Sequence, residues 1–347
     1  MTAPAPEPGA PDAGSPETGA AGAYFSANDA VFDWTVGFLE SFRVHNPTLP
    51  LLWIPFDDRG DRIAALADEY DFAPWEDPAF GRLEAIGRSL EIGLTPYGPH
   101  WFRRFAAFWG PLERFLYLDS RQLVLCDLAE FVAAPAEYGF DLMHFDCTLD
   151  QVYEPGEVRR AFLRRGRGRG FNSGRWASRR GLFDLETLER VGAECLAVRD
   201  QMNPRNTDQF FLNYACDSGS VREGRNERPI VAGHFAEVLG DLCRDAWSRQ
   251  PGRVYRDAAG VYRRWDHGGA DHAKRVPILH WAGIKLSPAM PEAELFYSYR
   301  NRGESGGRRA LRSLRRRAER PALRWADRLR RQRHLNTLWH RLRGDAR

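Results

Sequence analysis

Hydrophobic positions in this chain follow two rhythms. Short apolar runs at Ala23 to Ser26, Leu49 to Pro55, Phe115 to Leu118 and Phe140 to Asp146 have the length of strands. Between the first two runs, Phe32, Thr35, Val36, Leu39 and Phe42 recur at helical spacing. Helices are also predicted from the Asp57-Asp58-Arg59-Gly60 turn to Tyr70 and from Glu154 to Arg165. Strand, helix and strand in alternation predict an α/β sheet covered on both faces. The stretch that organises the rest is Phe115 to Leu128, FLYLDSRQLVLCDL, in which apolar residues flank Asp119, Ser120 and Arg121. Its first half, rich in β-formers, is predicted to be a central strand buried on both faces, with Asp119 at its carboxyl end. Ligands of open α/β sheets bind outside those ends. Asp119 therefore stands where a metal ion or a phosphate-bearing ligand would sit.

Four further stretches carry polar residues at places where chemistry is done. WFRRFAAFWG, Trp101 to Gly110, reads as a helix packed on the sheet with solvated arginines. Phe171-Asn172-Ser173-Gly174 precedes a short β-like segment, and small residues there permit close approach of a ligand. Asn206-Thr207-Asp208-Gln209 opens an apolar helix with Asn206 or Thr207 as its cap, and places Asp208 and Gln209 at the same end. Ile278 to Lys285, ILHWAGIK, reads as a strand ending in His280, a residue type that ligates divalent cations as the neutral imidazole. The glycine- and arginine-rich run from Arg164 to Gly174 matches neither a Walker loop nor a dinucleotide fingerprint, and reads as a mobile lid or surface loop.

Taken in order, LYLDS, FNSG, NTDQFFLN and LHWAG resemble the nucleotide-sugar glycosyltransferases of the GT-A fold, most nearly the group of glycogenin and the bacterial lipopolysaccharide galactosyltransferases. The resemblance covers about residues 23 to 290. It implies a Rossmann-like, mainly parallel mixed sheet flanked by helices. It also implies transfer of a hexose, with retention, from a nucleotide-diphosphate sugar to a hydroxyl acceptor, either a surface glycan or a lipid-linked sugar. By resemblance Asn28 and Asp29 contact the base and ribose, and Arg104 reaches the donor phosphates or sugar. Asn172 and Gly174 line the sugar pocket, Asp208 and Gln209 work at the sugar and its anomeric face, and Gly283 and Lys285 approach the diphosphate. Asp119 and His280 would hold a divalent cation, Mn2+ or Mg2+. The family's Asp-x-Asp is here Asp119-Ser120-Arg121, so a guanidinium stands where the second carboxylate belongs. Arg121 either neutralises the donor diphosphate in place of a metal or marks a non-catalytic relative acting as a membrane-associated binding or scaffold protein. A haloacid-dehalogenase phosphatase also begins with a strand ending in Asp, but Arg121 cannot act as the general acid that chemistry needs.

Composition adds the boundaries. Of the 347 residues 43% are hydrophobic and 12% aromatic, ample for a globular core. Residues 1–22 are small, polar or acidic and are expected to be a disordered leader, without the apolar segment of a secretory signal. No run of about 18 apolar residues predicts a membrane span. Cys126, Cys147, Cys195, Cys216 and Cys243 follow neither zinc nor disulfide spacing, and read as reduced, buried residues of a cytoplasmic protein. Within a net charge of +3, residues 301–347 hold 16 Arg against Glu304, Glu319, Asp327 and Asp345, so residues 23–300 form an acidic domain followed by a basic tail. Leucines and Trp325 recur among those arginines at helical spacing, which predicts amphipathic helices lying on an anionic membrane surface, without a nucleic-acid motif.

Overall fold

The computed structural model describes residues 20–90, 98–146, 149–203, 207–223, 226–245, 247–250, 252–265 and 273–303. Nearly all of the predicted leader and tail, together with Cys147 and Asn206, lie outside these residues. In chain order the first elements are β1 (Ala21–Ala27), α1 (Phe32–His45), β2 (Leu51–Pro55), α2 (Asp61–Ala64), α3 (Ala67–Tyr70), β3 (Ala73–Pro74), α4 (Phe80–Ser89), β4 (Arg114–Asp119) and β5 (Gln122–Val124). There follow α5 (Ala129–Glu137), β6 (Leu142–His144), α6 (Glu157–Arg164), β7 (Arg175–Arg179), α7 (Leu185–Ala197), α8 (Thr207–Ser218), β8 (Ser220–Glu223), β9 (Asn226–Pro229), β10 (Ala232–His234) and α9 (Phe235–Leu239). The last are β11 (Tyr255–Arg256), β12 (Tyr262–Trp265), β13 (Ala273–Arg275), β14 (Ile278–His280) and α10 (Ala293–Arg300).

The chain divides into two interleaved units. The first comprises residues 1–32, 46–120 and 127–245; the second comprises 33–45, 121–126 and 246–347. At the heart of the first unit is a seven-stranded sheet in the order β10-β6-β7-β4-β1-β2-β3. Its strand pairs are parallel except where β7 runs against β4 and β6. This is the mixed, mainly parallel α/β sheet expected from the sequence. The organising strand β4 sits at its centre, and Phe115, Leu116, Tyr117 and Leu118 are all fully buried, as a strand covered on both faces requires.

The structure adds one element and changes another. The apolar run that resumes after Asp119 is separate from β4. It forms β5, which pairs antiparallel with β14 inside the second unit. Gly98–Phe108 is a 3-10 helix rather than an α-helix. Phe102, Phe105 and Phe108 recur every third residue and all are fully buried, and in a 3-10 helix side chains three apart stand in one line. Phe102 and Phe105 meet edge to face at 5.4 Å, and both pack on Phe211 of α8. In the second unit Trp34 of α1 packs on Trp281 and on Phe296 of α10, and Gly37 leaves room for the Phe296 ring.

A candidate active site at the carboxyl edge of the sheet

Register fixes which residues share the edge. Ser26 of β1 lies beside Asp119 of β4, and Leu118 lies opposite Arg175 of β7. Asn28, Asp119, Asp146 after β6 and the Asn172–Gly174 turn before β7 therefore all emerge on one side of the sheet, where ligands of such folds bind.

Arg104 is the centre of the arrangement. Its guanidinium is 2% exposed, with Nη2 3.3 Å from Asp119 Oδ1 and Nη1 3.1 Å from Asp208 Oδ2. Nη1 also donates to the Ser173 carbonyl at 2.9 Å, and Nε donates to the Trp101 carbonyl at 3.1 Å. The rings of Trp101 and Tyr117 lie 4.7 and 4.9 Å from the guanidinium carbon. Burial by itself would lower the pKa of this group, but the neighbouring Asp208, Tyr117 and Asp119 outweigh it and hold the guanidinium firmly protonated. The expectation that arginines here are solvated is thus corrected, for Arg103 as well. Arg103 is 8% exposed and bonds Glu84 and Asp58, because successive residues of the 3-10 helix point about a third of a turn apart.

Asp119 continues this network. Its Oδ1 accepts from the Tyr117 hydroxyl at 3.1 Å, and its amide donates to the Gly174 carbonyl at 2.8 Å. A Cβ on Gly174 would come within 2.5 Å of Asp119 Oδ2 and 2.8 Å of Asn172 Oδ1, so glycine is demanded there by close approach. Burial pushes the Tyr117 hydroxyl far above its ordinary range, which keeps it a neutral donor. Ser120 is buried at the turn leaving β4.

Asn172 ties the turn to α8. Its Nδ2 donates to Gln209 Oε1 at 2.7 Å, its Oδ1 accepts from the Gly174 amide, and its own amide donates to Asp146 Oδ1. Gln209 Nε2 donates to the Gln151 carbonyl at 3.3 Å. Asp208 and Gln209 stand in the first turn of α8, 5% and 3% exposed. Asn213, one turn on, holds the Phe171 backbone through both of its amide atoms, and so fixes the turn against the helix. Arg104, Asp119, Asn172, Gly174, Asp208 and Gln209, spread across the sequence, thus belong to one hydrogen-bonded cluster.

Asn28 and Asp29 take local roles at the same edge. Asn28 caps the turn that follows β1 and donates to Asp57 Oδ2 at 2.8 Å, while Asp29 Oδ1 receives the Arg62 and Ile63 amides that open α2. Arg121, Gly283, Lys285 and His280 belong to the second unit. There the Arg121 carbonyl accepts from the Trp281 amide at 3.0 Å. His280, 1% exposed, stacks on Trp247 with ring centroids 5.1 Å apart. Gly283 has φ +64, and both it and Lys285 are exposed.

Sequence reasoning missed Tyr117, Ser173, Asp146 and Arg175. Arg175 is fully buried and its Nη2 is 3.0 Å from Asp146 Oδ2. Asp146 follows a strand, as Asp119 ends one, so the same signal identifies it. The Arg164–Gly170 run is not a free lid. Gly166, Gly168 and Gly170 adopt φ of +70, +72 and +70. The Gly168 amide donates to Asp217 Oδ1 at 3.0 Å, and Arg167 donates to the Asp217 carbonyl at 2.7 Å. The loop borders a cavity of about 210 Å3 that Asp217, His144 and Phe171 also line.

Whether these residues suit a divalent cation follows from their charges. Asp119, Asp208 and Asp146 face two arginines, Arg104 and Arg175, which leaves the cluster one negative charge in excess. No group of three or more His, Cys, Asp or Glu among the described residues forms a preassembled metal cage. Magnesium-type sites are commonly one or two carboxylates completed by substrate phosphates. Asp119 fits that description as an anchor for a cation arriving with a diphosphate.

The charged cluster thus lies at the carboxyl edge of a mixed, mainly parallel α/β sheet, the edge where such sheets bind ligands. No protein-family model and no curated sequence matches the chain. Solved structures similar to it in fold are glycosyltransferases. One is the bifunctional glycosyltransferase WbbM without ligand, at 9% identity and a TM-score of 0.49, covering 84% of this chain and 51% of that one. This chain therefore spans about half the length of WbbM. Another is the galactosyltransferase LgtC with donor and acceptor sugar analogues, at 13% identity and a TM-score of 0.47, covering 82% of this chain and 96% of that one. A third is core-mannan synthase A of Aspergillus fumigatus in its Mn/GDP form, at 8% identity and a TM-score of 0.32, covering 60% and 73%.

Proposed function

We propose that this chain is a retaining glycosyltransferase that moves a hexose from a nucleotide-diphosphate sugar to a hydroxyl acceptor in bacterial surface-glycan synthesis. The observation that carries the reading is the buried Arg104 guanidinium joining Asp119, at the end of the central strand, to Asp208 on α8. The motifs behind the family resemblance, LYLDS, FNSG and TDQ, meet through this residue and Asn172.

The chemical difficulty in such a transfer is the charge that builds on the leaving diphosphate as the glycosidic bond breaks. A divalent cation anchored by Asp119 would supply Lewis-acid stabilisation of that charge when bound; His280 as its second ligand is what the family resemblance implies. The chain's own residues have separate tasks. Asp208 orients sugar hydroxyls while its charge is balanced by Arg104. Gln209, its side-chain amide held by Asn172 and the Gln151 carbonyl, presents a fixed dipole at the anomeric face. Asn172 and Gly174 line the sugar, and Asn28, Asp29 and Ser120 border the nucleoside and diphosphate. The family resemblance implies contact of Gly283 and Lys285 with the diphosphate, and Arg121 stands in sequence where the second carboxylate belongs.

A second reading is favoured by one residue. Arg121 in place of the second carboxylate fits a non-catalytic relative that binds a nucleotide sugar as a scaffold. Thermal unfolding with uridine, guanosine and cytidine diphosphates, each with and without manganese, separates the two when combined with an assay of donor hydrolysis. For the enzyme, one nucleotide raises the midpoint, equivalent to about 2.7 kcal/mol at a hundredfold excess over Kd, and the matching sugar donor is hydrolysed. Stabilisation without hydrolysis selects the scaffold, and no stabilisation by any nucleotide refutes both. A manganese requirement together with full activity of Arg121→Ala would refute metal replacement by Arg121.

A further inference from the structure

The Arg164–Gly170 run, left without a task by the proposed reaction, builds a second binding surface inside the first unit. Its backbone changes hand at every step. Gly166, Gly168 and Gly170 have φ of +70, +72 and +70, while Arg167 and Arg169 between them stay at negative φ. Successive amides of such an alternating backbone turn to one side and form a concavity that attracts anions. One carboxylate is already there, since Asp217 Oδ1 accepts from the Gly168 amide at 3.0 Å.

The cavity of about 210 Å3 beside this loop has a buried floor and a basic rim. The floor holds His144 and Phe171, 1% and 3% exposed, with their rings flat on one another at 4.6 Å. Burial holds His144 neutral; the Asp146 backbone approaches its ring, yet Nδ1 closes no hydrogen bond of ordinary geometry. At the rim Arg165 and Arg169 are exposed, so the cavity is reached from solvent, and Arg167 stands between them. Arg169 pairs with Glu237, and Arg167 donates to the Asp217 carbonyl. Three arginines against Glu237 and Asp217 leave one positive charge in excess.

These groups select a ligand class. Guanidinium and backbone amide offer donors alone, the complement of phosphate oxygens. Sugar hydroxyls also need acceptors, and the Asp217 carboxylate is taken up by the Tyr153 hydroxyl at 2.7 Å and the Gly168 amide. Pockets for drug-sized ligands measure about 300–1,000 Å3, so a nucleoside diphosphate is too large for this cavity. Asp217 also lies nine residues past Asp208 on α8, about 13 Å along the helix, which separates the cavity from the charged cluster. We propose that the cavity is a second site, distinct from the donor site, for a single phosphate group, borne by the free ion or by a phosphomonoester.

The test is isothermal titration calorimetry of the full chain with inorganic phosphate, glucose 6-phosphate and glucose, at an ionic strength held constant with chloride. The wild-type chain is expected to bind phosphate and to ignore glucose. Arg165→Gln, at the exposed rim, should weaken phosphate binding about fivefold with the thermal midpoint unchanged. Asp217→Asn should tighten it roughly threefold by removing a like charge, a gain that a purely structural role of Asp217 does not give. Glucose 6-phosphate binding as tightly as phosphate assigns the site to esters, and phosphate binding alone assigns it to the free ion. Should Arg165→Gln disturb the loop, Arg165→Lys keeps the charge without the fork and should retain most of the binding. Equal phosphate affinity of wild type, Arg165→Gln and Asp217→Asn would overturn the proposal, as would the absence of phosphate binding at millimolar concentration. Glucose bound as tightly as glucose 6-phosphate would overturn it in favour of a sugar pocket.

Discussion

Arg104 balances two carboxylates, Asp208 nearly buried and Asp119 partly open, so its removal leaves like charges facing each other with little water to screen them. Arg104→Ala is expected to destabilise the fold by about 3–5 kcal/mol, the usual cost of breaking a buried pair, in urea unfolding. The double variant Arg104→Leu with Asp208→Leu should recover part of that loss while remaining inactive, which separates the structural from the chemical role. Gly174→Ala should displace Asp119 and abolish nucleotide stabilisation at little cost to far-ultraviolet ellipticity.

Asp217 gives a pH signature. Burial pushes its carboxyl up to about 6, against the lowering effect of hydrogen bonds from the Tyr153 hydroxyl and the Gly168 amide. The folded value lies above the unfolded value of about 3.9. Its contribution is therefore fully present below pH 4 and is lost as pH rises through 6. Relative to wild type, Asp217→Asn should gain in thermal midpoint between pH 4.5 and pH 7.5. An equal difference at both pH values would refute the assignment. At this scale the sequence exposed the residues that end strands or open helices, Asp119, Asp208 and Gln209. It hid Tyr117 and Arg175, because a tyrosine inside an apolar run, or an arginine that opens a short strand, looks the same whether it packs, faces solvent or reaches a charge.

Among elements, β4 and α8 were legible because their apolar runs are bounded by polar residues. The 3-10 helix Gly98–Phe108 was not, because WFRRFAAFWG satisfies three-residue and four-residue spacing alike. The edge-to-face contact of Phe102 with Phe105 and their tilted contacts with Phe211 decide between them. Phe105→Ala should cost about 3–5 kcal/mol and, by letting the 3-10 helix shift, weaken nucleotide binding in the same titration. The equivalent truncation of exposed Leu163 should change neither. The Arg164–Gly174 run was read as a mobile lid or surface loop because glycine and arginine dominate it, and what ties its first part down, Asp217, lies some fifty residues later in the chain.

For the whole molecule, composition predicted a sizeable α/β core and no membrane span, and no described helix is long and apolar enough to cross a bilayer. What composition does not encode is that two units share one chain by turns. If Asp119 anchors a cation, chelation should erase nucleotide-induced stabilisation while leaving the ligand-free midpoint within about a degree, since RT ln(1 + [L]/Kd) acts only through the bound state.

The interleaving also governs synthesis. As the polypeptide leaves the ribosome, α1 and β5 appear early, yet β14, the strand that pairs with β5, and α10, which packs on Trp34 and Gly37, are among the last described elements to emerge. The first unit holds every strand of its seven-stranded sheet by residue 234, whereas the sides of α1 and β5 that meet α10 and β14 stay uncovered until the C-terminal segment is made. Such long-range closure is slow and exposes sticky surface meanwhile. Nascent chains stalled near residue 250 should therefore engage holdase chaperones and be cut by protease around residues 33–45 and 121–126, while the intervening stretches resist.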